Sequence, residues 1–246
     1  MFAFLLPLLL ILTSRPAYAC AYSIPVVGRW SALQIGLDIP STPTWARALV
    51  LKAARVWNQA QVWFQQNYFP DGSLYTFVTS ASGNVTVSFT MPVAYASIAV
   101  GWTQYVLDGP STILGAHVFL DGNIFNALEE PNITGQKYGF RLALHELGRV
   151  LGLGSLIDEL DIMNPIETVS LASEAPLISL IDLFALHILA SEPYFSSSVI
   201  VLNSDQQILL NAWNFLDPQP SSRFVAGFDD SATGCLLRLT ARDRVC

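Results

Sequence analysis

The stretch HELGRVLGLGSLIDELDIMNP, from His145 to Pro165, decides how this chain is read. Phe140, Leu144, Leu147 and Leu151 recur at the spacing of one helix stripe, so a helix is expected from about Phe140. Gly152 follows the last of them, where a left-handed C′ residue would end that helix. On such a helix His145 and position 149 share a face, with Glu146 beside the first. A loop then leads to the turn Asp161-Ile162-Met163-Asn164-Pro165. Histidines at i and i+4 with an adjacent glutamate make half of a hydrolytic zinc site: two imidazoles grip the ion and the carboxylate polarises its water. Here position 149 is arginine.

Outward from this stretch the pattern is mixed. ALQIGLDI (Ala32 to Ile39) alternates like a strand, and Pro40-Ser41-Thr42-Pro43 stops it. Thr44 is expected to cap the next helix, whose stripe runs Leu49, Ala53, Val56, Trp57, Ala60, Trp63 and Phe64 and which ends at Tyr68-Phe69-Pro70-Asp71-Gly72. Four β-like runs follow: SLYTFV from Ser73, NVTVSFTM from Asn84, SIAVGW from Ser97 and ILGAHVFL from Ile113. A last helix is expected from Leu180 to Ala190, with Ser179 as N-cap and Asp182 in the place of the capping-box glutamate. Strands gathered ahead of the helices that pack on them predict an α+β layer architecture. Residues 194–246 change texture to short strand-like runs and are read as a small, β-rich C-terminal extension.

At the His145–Pro165 stretch the chain resembles the metzincin zinc metalloproteases, and their matrixin branch (peptidase M10-like) in particular. The family pattern is H-E-x-x-H-x-x-G-x-x-H, or Asp in the last place, followed by a Met-turn. His145, Glu146 and Gly152 match it, and Met163 stands in the Met-turn. A Trp-containing first strand, the long helix, NVTVSFT, GAHVFLDG and the helix opened by Ser179 and Asp182 resemble matrixin elements in order, over roughly residues 25–192. The resemblance implies a twisted mixed sheet of about five strands with three helices, a catalytic Glu146, a zinc ligand at His145 and a cleft for peptide or protein substrates.

The chain departs from the family at the metal. The second and third ligand places hold Arg149 and Ser155. A guanidinium keeps its charge at any working pH, and a unit charge about 4 Å from a doubly charged ion costs on the order of 8 kcal/mol at an effective dielectric near 20. Half of that weakens zinc binding roughly a thousandfold. His117 is expected to be a strand residue at the cleft edge and His187 a partly buried structural residue, while Asp158, Glu159 and Asp161 follow the helix as oxygen donors. Arg149 is expected to stand in for the ion electrostatically, close to Glu146 and to Asp158 or Asp161. Three functions suit this pattern: a protease homologue with impaired or absent activity that binds a strand-like peptide near Ala116-His117-Val118, an active zinc endopeptidase with an atypical site, or a structural extracellular protein on the same scaffold.

Export is expected from the N-terminus. The apolar run Phe2 to Leu12 is shorter than the about 20 residues that span a bilayer, and Ala17-Tyr18-Ala19 offers a cleavage site, so residues 1–19 read as a signal peptide. That leaves a 20–193 domain and the extension, with no transmembrane segment in the mature chain. Cys235 and Cys246 are a candidate disulfide, which leaves Cys20 over. Asn84-Val85-Thr86 and Asn132-Ile133-Thr134 are sequons that agree with a secreted location. A formal charge of −7 with no basic run argues against a nucleic-acid partner.

Overall fold

The computed structural model describes residues 23–96, 99–125, 131–156, 161–164, 178–192, 195–203 and 206. The predicted signal peptide, Cys20, Cys235, Cys246, Asp158 and Glu159 lie outside them. The described chain is mixed α and β, with a mostly parallel sheet. Its strands are β2 (Arg29–Trp30), β3 (Gln34–Asp38), β4 (Thr76–Thr79), β5 (Val85–Ser88), β6 (Gly101–Asp108) and β7 (Thr112–Leu120). They run in the order β2-β7-β5-β3-β4, with β6 added on β7. All neighbours are parallel except β6 and β7. A separate antiparallel pair joins β1 (Ser23–Pro25) to β8 (Val199–Val201).

Alternation explains which face each strand buries. Ile35 and Leu37 of β3, Val85 and Val87 of β5, and Ala116, Val118 and Leu120 of β7 are buried under the helices. The helices are α1 (Thr44–Tyr68), the four-residue α2 (Gly122–Phe125), α3 (Ile133–Val150) and α4 (Leu180–Ser191). Leu49, Ala53, Val56, Trp57, Ala60 and Phe64 of the α1 stripe are buried, and Trp63 is partly so. Trp57 Nε1 donates to Leu144 O at 2.8 Å and Trp30 Nε1 to Val150 O at 2.7 Å, which pins α3 against α1 and β2. Ile200 and Leu202 join the same core, so the start of the 194–246 segment packs on the domain.

Local expectations met different fates. Pro43, not Thr44, occupies the N-cap position of α1, and no side chain caps that end. α3 begins at Ile133 rather than near Phe140, opened by Asn132, whose side chain accepts from Gly135 N. Gly135 and Gly139 break the apolar stripe over its first turns, which hides them from periodicity. The six-stranded sheet exceeds the five strands expected because the short β2 joins it, and α2 adds a helix to the expected three. The run from Ser97 ends where a strand begins: β6 continues from Gly101 through Asp108. The capping box of α4 is present in full, Ser179 Oγ accepting from Asp182 N and Asp182 Oδ2 accepting from Ser179 N. Ser179→Ala is expected to lower stability by about 1 kcal/mol in denaturant unfolding.

Candidate functional site

The site forms where α3, the turn after it and β6 meet. α3 ends because Gly152 adopts φ +102°, a conformation open to glycine, and a Cβ there would stand 2.0 Å from Gly28 O. The chain then turns back, and Val27 N donates to Gly152 O at 2.7 Å while Gly154 N donates to Pro25 O at 2.9 Å. Asp161–Asn164 comes under the helix. Met163 N donates to Asp161 Oδ1 at 2.6 Å, and Asn164 N to Asp161 O at 3.2 Å, which shapes the turn. Met163 is fully buried; a Cβ on Gly148 would lie 2.5 Å from its Sδ and 2.7 Å from the Trp57 ring. Close contact between the Met163 turn and α3 therefore requires glycine at 148.

That turn orients His145. The imidazole is 5% exposed, and its Nδ1 lies 2.7 Å from Ile162 O. A carbonyl only accepts, so Nδ1 carries the proton and Nε2 keeps its lone pair. Burial pushes the imidazole pKa down to about 4, against the Ile162 bond, and the positive charges of Arg149 and Arg141 push the same way as burial. Glu146, the next residue, faces β6. Its Oε2 accepts from Thr103 Oγ1 at 2.5 Å. A Cβ on Gly101 would come within 2.6 Å of Oε1, so β6 approaches the carboxyl through a glycine. Burial raises the Glu146 pKa to about 7, with Thr103 and then Arg149 opposing.

Arg149 and Ser155 meet each other. Arg149 is half-buried, and its Nη1 donates to Ser155 Oγ at 3.2 Å. Tyr105 OH donates to Arg149 O at 2.9 Å, and burial drives that phenol's pKa well up. The charge of Arg149 is felt at Glu146, as expected from the sequence; among the described residues its guanidinium donates to the Ser155 hydroxyl, and Asp158, the other expected partner, lies outside them. Asp161 instead holds the Met163 turn.

These residues do not fit zinc. His145 Nε2 is one donor of the three a catalytic site needs, and the two positions that the resemblance pairs with it hold a permanent cation and a hydroxyl already bonded to that cation. Among the described residues no group of three His, Cys, Asp or Glu gathers to hold a metal. His117 lies elsewhere: β7 is an interior strand between β5 and β6, and His117 projects from its exposed face, near the Phe119 ring. Among the described residues β6, not β7, is the outermost strand on this side of the sheet, which corrects the expectation of an edge at Ala116-His117-Val118. His187 stacks on Phe69 with centroids 4.0 Å apart, the structural role expected of it. Its pKa is lowered by burial, with Glu192 opposing. Asn84 and Asn132 of the two sequons accept from Gly36 N and Gly135 N.

Sequence reading missed Gly101, Thr103 and Tyr105, the inward positions of β6, because the strand itself was placed too early. It also passed over Arg141, although four residues before His145 is a legible spacing. Compared with known proteins, the chain matches no family model and no curated protein. No helix among the described residues is long and apolar enough to cross a membrane.

Proposed function

We propose that the chain is a secreted, matrixin-type metzincin homologue that has lost zinc-dependent proteolysis and keeps a peptide-binding cleft between α3 and β6. The observation that carries this reading is the Arg149–Ser155 hydrogen bond, which links two former ligand positions to each other. The surrounding frame supports a metzincin ancestry: His145 held by Ile162 O, Gly152 turning the chain, and Met163 packed beneath the helix. Glu146 is buried, and its carboxyl accepts from Thr103 on β6.

Peptide binding is supported by β6. It pairs with β7 on one side only among the described residues, and Thr103 and Tyr105 tie it to the helix that carries the site. An extended peptide gains backbone hydrogen bonds along such an edge. The test is hydrogen exchange of the β6 amides in the presence of a pooled library of acetylated hexapeptides. Protection of residues 101–108 without peptide cleavage is the expected result. Cleavage that depends on stoichiometric zinc would replace this reading with the active-enzyme one. Neither protection nor cleavage would leave a purely structural scaffold.

A further inference from the structure

The sequons Asn84-Val85-Thr86 and Asn132-Ile133-Thr134 stand apart from the residues around His145. Both asparagines are exposed, and each sits just outside a regular element: Asn84 at the bend that opens β5, Asn132 as the N-cap of α3. The hydroxyl residues that complete the sequons are within reach of solvent too, Thr134 exposed and Thr86 partly so. Gly36 N donates to Asn84 Oδ1 at 2.9 Å, and Gly135 N donates to Asn132 Oδ1 at 3.0 Å. A backbone N–H only donates, so the atom it meets is the carboxamide oxygen, and the amide nitrogen is the one left over. Neither Nδ2 has a hydrogen-bond partner among the described residues.

An N-linked glycan is carried on Nδ2 and leaves the carboxamide oxygen free to accept. A glycan at either asparagine therefore keeps the backbone bond that its Oδ1 makes, the α3 cap at Asn132 and the tie from β5 to β3 at Asn84. The chain is 52% hydrophobic and 13% charged, and Ile133, inside the second sequon, is 47% exposed, so a bulky solubilising group there falls beside apolar surface. We infer that Asn84 and Asn132 both carry N-linked glycans on the exported chain. This rests on the export that the proposed function includes. In the transfer, Nδ2 gives up a proton and bonds the anomeric carbon of a lipid-linked oligosaccharide. The bond from that carbon to the lipid phosphate breaks, and the phosphate leaves with the electron pair. Nothing is oxidised or reduced.

The test is production of the full chain, with its own N-terminus, in a eukaryotic host whose secretory lumen transfers N-glycans. Medium and cells are analysed separately, by gel mobility with and without a peptide N-glycosidase and by mass of the peptides that hold each asparagine. The expected result is exported chain with a glycan at both sites, whose mobility falls back when the glycans are removed. Asn84→Gln and Asn132→Gln are each expected to lose one mobility step. Thr134→Ala loses the Asn132 step although the capping asparagine is still there, and Thr134→Ser keeps it, which ties the step to the sequon rather than to a folding defect. Exported chain with both asparagines unmodified would overturn the inference and leave export standing, and a glycan at one site alone would overturn it for the other. Unmodified chain held inside the cell would overturn export. The full chain behind the host's own leader then decides the inference: glycans at both sites sustain it, and bare asparagines on chain recovered from the medium overturn it.

Discussion

Glu146→Gln is expected to stabilise the fold by about 3 kcal/mol near pH 8 and by almost nothing near pH 4. The unfolded chain releases the Glu146 proton near its ordinary value of 4.5, whereas the folded chain holds it until about 7. A raised carboxyl pKa contributes stability that is complete below 4.5 and is lost as pH climbs through 7. Above that, the folded chain carries an ionised carboxylate in a site walled by Thr103, Leu142 and Gly101. Glutamine has nearly the same shape, still accepts from Thr103, and never ionises. Denaturant midpoints of the parent and the variant at acid, neutral and alkaline pH check this. A difference that does not change with pH would mean that Glu146 is solvated. His145 has the opposite sign: its lowered pKa contributes stability present above 6.5 and lost as pH falls through 4. The two largely offset each other in the parent, so its own pH profile hides both.

Arg149→His combined with Ser155→His is expected to raise zinc affinity at least about a thousandfold. The change removes a fixed cation and adds two imidazoles, and His145 already has Nδ1 bonded to Ile162 O, the outer bond that orients a metal-binding histidine. Calorimetric titration measures the affinity, and zinc-dependent thermal stabilisation checks that binding occurs in the folded state. A folded double variant that ignores zinc would show that the helix and its turn do not bring positions 145, 149 and 155 together as a ligand frame.

What was legible in the sequence was mostly local. The Ser179–Asp182 capping box, the left-handed Gly152 and the Met163 turn depend on residues a few positions apart, and each formed as read. The elements that complete the site were not local. Thr103 reaches Glu146 across 43 residues of sequence and Tyr105 reaches Arg149 across 44. Those contacts depend on β6 adding antiparallel to β7 with a bulge between Val106 and Leu107. Glycine at 101, which in isolation argues against a strand, is there because Glu146 occupies the space of its side chain. The edge at His117 follows from the family resemblance alone: an alternating run does not reveal which strand lies outermost, and pairing with both β5 and β6 puts β7 inside.

The central proposal is that a metzincin-type frame here no longer binds zinc. Zinc analysis of the full chain, purified with no added metal or chelator, tests it most directly. Well under one zinc per chain in a folded, monodisperse sample is the predicted result. One tightly held zinc per chain would contradict it, because it would require ligands that Arg149 and Ser155 do not provide.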